Sequence, residues 1–135
     1  MEEFDFVVVG AGSAGCVLAS RLTEGGRHTV KLLESGPRDS YPWIHIPIGY
    51  AKTMFNKKYN WCFESESEPE LNGRSIYQPR GRVLGGSSSI NGLMYIRGQA
   101  RDYDEWASLG NPLWSWDQCL PYFRKLEHND IGPGP

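Results

Sequence analysis

Gly10, Gly12 and Gly15 stand in the run Gly10-Ala11-Gly12-Ser13-Ala14-Gly15, and Glu34 follows the last of them by about 20 residues. Glycines do this chemistry by what they lack. Gly10 allows a tight turn, Gly12 lets backbone approach a pyrophosphate, and Gly15 lets a helix pack closely on a strand. The free N–H groups and positive dipole end of a helix opening after Gly12 favour phosphate oxygens by roughly 0.3–2 kcal/mol. An acid at Glu34 is placed to accept hydrogen bonds from a ribose diol, and it would repel a 2′-phosphate. The run predicts a site for a dinucleotide, held through Gly10, Gly12, Ser13, Ala14, Gly15, Glu34 and Ser35. It does not separate FAD from NAD, since both offer an ADP half. The bland alternative is a glycine-rich turn beside a solvated carboxylate.

The second stretch is Gly81-Arg82-Val83-Leu84-Gly85-Gly86-Ser87-Ser88-Ser89-Ile90-Asn91. A Gly-Gly pair lets backbone run against a flat ligand, because a Cβ would hold the two apart. The serines offer hydroxyls and N–H groups, and Asn91 can bring an amide to a heteroatom. A serine-capped turn before a buried helix explains the same residues equally well. His28, His45 and His128 are scattered, and Cys16, Cys62 and Cys119 lie far apart and odd in number. No CxxC or Cys/His spacing is present, so no metal site is expected. The cysteines read as reduced, with Cys16 packed inside a helix as a small hydrophobe.

The elements that must position these residues can be read locally. Phe4 to Val9 is aromatic and β-branched and stops at Gly10, the pattern of a buried parallel strand. Ala14 to Leu22 is small and apolar, a helix ending at Gly25-Gly26. Thr29 to Glu34 is a second strand. Together they form a βαβ unit spanning Phe4 to Glu34. Ser35 to Tyr59 holds three prolines and no clear period, which predicts a long functional connection. Trp61–Glu64 and Ser75–Gln78 flank Asn72-Gly73, a strong turn dipeptide, and predict an antiparallel hairpin. Ala100 to Leu109 reads as a helix stopped by Gly110. Ser115-Trp116-Asp117-Gln118 fits a capping box for a last helix to about Glu127, kinked or restarted at Pro121. Gly132 to Pro135 has linker composition. Trp106, Trp114 and Trp116 form either a small local core or apolar surface awaiting a partner.

Composition narrows the classes. A net charge of −2 over 135 residues lacks the basic stripe of a nucleic-acid binder. No apolar run reaches the length of a transmembrane segment, and the acidic start Glu2-Glu3 is unlike a signal peptide. A cytoplasmic location is expected, with peripheral contact at an inner membrane also open. Two strands are too few to cover the helix with parallel sheet, which predicts that further strands come from beyond Pro135.

With both motifs in view, the chain resembles the N-terminal part of the glucose–methanol–choline (GMC) flavoprotein oxidoreductases. The stretch Gly81 to Asn91, followed by Tyr95, Gly98 and Asp104, is similar to that family's signature throughout. The likeness continues in Asp102-Tyr103-Asp104-Glu105-Trp106, Trp114-Ser115-Trp116 and Leu120-Pro121-Tyr122-Phe123. Ile46-Pro47-Ile48-Gly49 and Tyr59-Asn60-Trp61 resemble bacterial alcohol and choline dehydrogenase-like members in particular.

The resemblance implies an α/β fold, a partial and truncated FAD-binding Rossmann-like domain made of the βαβ unit, the hairpin and C-terminal helices. The substrate-binding domain and the C-terminal catalytic segment would be absent. It implies FAD as cofactor, with Glu34 on the adenosine ribose. Arg82, Val83, Gly85, Gly86 and Ser87 would run along the pyrophosphate and flavin, and Asn91, Gly92, Leu93 and Met94 would lie close to the isoalloxazine. Some members attach FAD through a histidine just before the asparagine; Ile90 stands there here, which implies non-covalent FAD. The implied reaction oxidises a CH–OH group by hydride transfer to flavin N5, with oxygen or a quinone as acceptor. None of the histidines falls in the flavin-facing motif, so no catalytic residue is assigned and these 135 residues alone are expected to be inactive. Two other readings compete, an NAD-dependent dehydrogenase nucleotide domain and a non-enzymatic FAD-binding module.

Overall fold

In the computed structural model, which describes residues 2–127, the β-branched run near the start forms strand β1 (Phe6–Val9). Gly10 ends it at φ 93°, a left-handed conformation that a side chain resists. Helix α1 (Ser13–Thr23) follows, and strand β2 (Val30–Leu33) returns parallel to β1, with Phe6 beside Val30 and Val9 beside Leu33. The expected βαβ unit is present, with both strands shorter than the apolar runs. At the open end of the pair, side chains take over from the ladder. Thr29 donates its N–H and hydroxyl to Asp5 Oδ2 at 2.7 and 2.8 Å, and Asp5 N donates to Thr29 Oγ1 at 3.1 Å.

Two burial expectations are overturned. β1 is not a buried strand: Val7 is 60% and Val9 82% exposed. Among the described residues its sheet contains only β1 and β2, and one helix cannot cover both faces of such a pair. Cys16 is likewise exposed. α1 turns Gly15 toward the sheet, which leaves the next residue about 100° around the helix; the Cys16 thiol donates to Ala11 O at 3.3 Å.

The long connection after Ser35 is not structureless. Pro42–Ile44 and Pro47–Gly49 form single 3₁₀ turns and Tyr50–Thr53 a short helix, α2. In both 3₁₀ turns proline stands first, where its fixed φ suits a helical start and its missing N–H leaves no bond unmade. Tyr41 stacks on Tyr59 with ring centroids 4.8 Å apart, and Tyr59, Val83 and Ile90 form the core of this part of the chain, with Tyr41 and Ile44 beside them. Two core side chains therefore come from the second glycine-rich stretch.

The hairpin is present as β3 (Phe63–Glu64) and β4 (Tyr77–Gln78), antiparallel, with Phe63 opposite Gln78. Asn72 and Gly73 make the turn at φ 57° and 72°. A 3₁₀ turn, Pro69–Leu71, and the isolated bridge between Glu68 and Arg74 fill the tip, so the ladder is shorter than expected. Buried Asn60 braces the base. Its Nδ2 donates to Met54 O at 2.5 Å and to Tyr77 Oη at 3.3 Å, while its Oδ1 accepts from the backbone N–H of Cys62 and Arg80 at 2.9 Å each. Both donors and both acceptor positions of the amide are thereby used.

The described residues divide into two compact units between Met94 and Tyr95. The second contains helices α3 (Ala100–Ser108) and α4 (Trp116–Leu126). Gly110, at φ 101°, follows the end of α3. The capping box expected at Ser115 is not formed, and one is found at α3, where Gln99 and Asp102 exchange bonds. At α4, Trp116 N donates to Asp104 Oδ1 at 3.0 Å, so an acid from the neighbouring helix meets the helix start. Pro121 does not restart α4, which runs through it. The three tryptophans do form a local cluster: Tyr103 lies 5.3 Å from both Trp106 and Trp116, and Trp106 lies 6.2 Å from Trp114. Trp106 and Trp114 nevertheless remain about half exposed. His128 and the Gly132–Pro135 linker composition lie outside the described residues. Among the described residues no helix is long and apolar enough to cross a membrane, and no group of His, Cys, Asp and Glu could hold a metal.

Candidate functional site

The two glycine-rich stretches meet backbone to backbone. A Cβ on Gly86 would come within 2.7 Å of Gly12 Cα, and a Cβ on Gly81 within 2.2 Å of the Gly86 carbonyl. Gly85 N donates to Ala11 O at 2.7 Å, and the hydroxyls of Ser13 and Ser88 are hydrogen-bonded. The glycine pair is therefore required first by protein neighbours and by its own backbone, since Gly85 and Gly86 adopt φ 93° and 60°. Within the first motif, a Cβ on Gly15 would lie 1.9 Å from Gly10 O. That contact accounts for the third glycine as a helix–strand spacer.

This layering leaves the start of α1 open. Its N-cap is Gly12, no side chain caps it and no acid stands in its first turn. The first N–H groups of a helix have no partner within it, so this end is a cradle for an anion. Glu34, just past β2, aims its carboxylate back at the loop: Oε2 accepts from Ala11 N and Oε1 from Gly36 N, both at 2.8 Å. Each oxygen keeps a lone pair for a hydroxyl outside the loop.

A cavity of about 850 Å³ opens above these groups. Of the residues expected from the sequence, it brings together Gly10, Gly12, Ser13, Ala14, Gly15, Glu34, Ser35, Gly86 and Ser87. Ser87 Oγ accepts from Gly81 N at 3.0 Å, and Ser89 Oγ donates to Leu84 O at 2.9 Å, so these hydroxyls brace the turn. Arg82, Val83, Gly85 and the Asn91–Met94 segment do not line the cavity. Val83 is wholly buried in the core. Arg82 lies with its guanidinium 5.3 Å over the Trp61 ring, and its Nη2 donates to Lys58 O at 3.4 Å. Its Nε is buried without a partner. Asn91 Oδ1 accepts from Leu93 N at 3.0 Å, in a turn that holds Leu93 at φ 61°, and Leu93 and Met94 are exposed. The buried helix that the sequence allowed after the serines is a single 3₁₀ turn, Gly86–Ser89.

Val9 and Leu33, at the strand ends, also line it, and the lining residues outside both the βαβ unit and the second motif are Trp61, Phe63 and Arg80. Trp61 and Phe63 are stacked, with centroids 5.8 Å apart and planes within 5°. The signal lay in the hairpin. Its two flanks end at the bridge between Asn60 and Gly81, so residues just inside that bridge must stand beside the second motif. Behind this wall the Tyr77 hydroxyl donates to Met54 O at 2.5 Å. The Cys62 thiol beside it, and then burial, push that phenol up to about 12.

The model of the family described as GMC oxidoreductase matches residues 4–132. The oxygen-dependent choline dehydrogenase of Vibrio vulnificus (strain YJ016) is 51% identical over 127 residues, 94% of this chain and 23% of that protein. The alcohol dehydrogenase (acceptor) of Pseudomonas putida is 51% identical over 126 residues, 93% of this chain and 23% of that protein. Among solved structures, the pyridoxine 4-oxidase from Mesorbium loti superposes with a TM-score of 0.82 at 36% identity, covering 90% of this chain and 24% of that one. The chain thus spans less than a quarter of the length of the relatives it matches.

Proposed function

This chain belongs to the GMC oxidoreductase family, and from that premise we propose that it is part of an FAD-dependent oxidoreductase acting on the CH–OH group of an alcohol. The carrying observation is the junction of Gly12 with Gly86 beside the uncapped start of α1, where a cavity and open N–H groups suit a dinucleotide. We read the described residues as the N-terminal portion of the FAD-binding domain.

When bound, FAD supplies the hydride acceptor. The residues of this chain hold and orient it. Gly12, Ser13, Ala14 and Gly15 would meet the pyrophosphate through backbone N–H groups, and Glu34 would accept hydrogen bonds from the adenosine ribose. Asn91 to Met94, outside this cavity, would stand toward the isoalloxazine. Ile90 sits where a covalent link would form; it is buried and carries no nucleophile, so the cofactor is held non-covalently. His28 packs edge-on against Phe6, and His45 donates to Asp39 O at 2.5 Å. Neither lines the cavity, and we assign neither to the alcohol proton. Oxygen or a quinone-like molecule accepts the electrons. Free cysteines at positions 16, 62 and 119 suit a reducing compartment such as the cytoplasm.

The test is purification of the full-length protein. A yellow protein that releases intact FAD on denaturation and is bleached anaerobically by an alcohol is the expected result. A colourless protein that FAD does not reconstitute would refute the proposal, and flavin retained by the denatured chain would refute non-covalent binding. Flavin release without bleaching by any alcohol tried would favour a binding module over an enzyme.

A further inference from the structure

The cavity is lined by one cationic side chain, Arg80. The second-motif arginine, Arg82, is turned onto Trp61 instead. Arg80 is held in place through its backbone: its N–H donates to Asn60 Oδ1 and its carbonyl accepts from Trp61 N, both at 2.9 Å. Buried Asn60 is itself fully hydrogen-bonded, so the start of the Arg80 side chain is rigid. The guanidinium is committed only to the carbonyl of its neighbour Pro79, at 2.8 Å, and no carboxylate pairs with it among the described residues. A chain of close glycine contacts leads from it to the helix start. Gly81, the next residue, abuts Gly86, and Gly86 abuts Gly12. On the same cavity, the Glu34 carboxylate accepts from Ala11 N and Gly36 N. The two charges therefore mark opposite needs of one ligand: an acceptor for a diol and a cation for phosphate.

We propose that Arg80 is the countercharge for the pyrophosphate of the cofactor, a positioning contact that the glycine loop shares with the hairpin. The inference rests on the FAD reading above. A guanidinium suits this task because its planar fork can donate two parallel bonds to phosphate oxygens.

The experiment uses the full-length protein stripped of flavin, with dissociation constants for FAD, ADP and adenosine measured by calorimetry in wild type, Arg80→Gln and Arg80→Lys. Arg80→Gln is expected to weaken FAD and ADP alike by about ten-fold or more, the loss of one charge-assisted bond. Adenosine, which lacks phosphate, should bind wild type and Arg80→Gln equally. Lysine should recover part of the loss, and the salt dependence of ADP binding should flatten in Arg80→Gln. Unchanged FAD and ADP affinities in Arg80→Gln would overturn the assignment, as would a loss for FAD without one for ADP. If wild type itself takes up no FAD, the FAD reading fails, a result visible without the variants.

Discussion

Alanine at Gly86 meets two costs that a second glycine separates. Gly86 and Gly26 have nearly the same backbone, φ 60° and 63°. A Cβ on Gly26 would meet nothing within 4 Å, whereas one on Gly86 would lie 2.7 Å from Gly12 Cα, against ordinary contacts that begin at 3.4 Å. Gly26→Ala therefore carries only the left-handed penalty of about 1–2 kcal/mol. Gly86→Ala carries that penalty plus the cost of parting two backbones, for which overpacking series give about 1–3 kcal/mol. The expected losses are about 1–2 kcal/mol for Gly26→Ala and about 2–5 kcal/mol for Gly86→Ala. The second consequence is functional. Relieving the clash moves Gly86 away from the loop that leads into α1, so FAD affinity should fall in Gly86→Ala and hold in Gly26→Ala. Urea unfolding of the full-length protein followed by tryptophan fluorescence, with FAD titration of the stripped protein, measures both. Equal destabilisation by the two substitutions, with equal FAD affinity, would refute the close approach as the reason for glycine at position 86.

Three further outcomes are expected. Glu34→Gln keeps one acceptor and turns an NH₂ toward Ala11 N or Gly36 N, so thermal stability should drop by about 1–3 kcal/mol, the cost of an unmet buried donor; an unchanged melting temperature would count against the two bonds. Asp5 is held below the usual carboxylate range by the backbone N–H and then the hydroxyl of Thr29. Its contribution is complete above the unfolded value of about 3.9 and is lost as pH falls through the lowered folded value, so Asp5→Asn should flatten the acid limb of the stability profile. Coincident acid limbs would discard that role. Tyr77, raised to about 12 by the Cys62 thiol and by burial, contributes stability below the unfolded value of about 10 and loses it as pH rises through the folded one. Absorbance titration should show one late-ionising tyrosine that Tyr77→Phe removes, and its persistence in that variant would assign it elsewhere.

Much of the scaffold was legible because it depends on near neighbours. A β-branched run ended by Gly10, a small-residue helix and a second apolar run suffice for β1, α1 and β2, and Asn72-Gly73 suffices for the hairpin turn. The misreadings have a common form. A capping box was expected at Ser115 from spacing alone, but Asp104, on another helix, meets the Trp116 N–H. Arg82 stands inside the signature, yet Arg80 lines the cavity, because Trp61 takes the Arg82 guanidinium and the bridge from Asn60 to Gly81 sets the hairpin there. Cys16 and Val9 are apolar in type but exposed, since burial depends on what lies across from a residue and not on the residue.

By itself, then, the sequence determined the local backbone: where chain turns, where helix begins, and which positions tolerate no Cβ. Only the tertiary structure decided why Gly86 is one of them. Its partner Gly12 belongs to the other motif, and the two are held together where Gly85 N donates to Ala11 O and Leu84 N to Pro37 O, beside buried Ala11 and Val83. Spacing along a chain encodes φ, ψ and periodicity, which are set within a few residues. The approach of two backbones distant in sequence is set by the bonds and packing that only the folded chain brings between them.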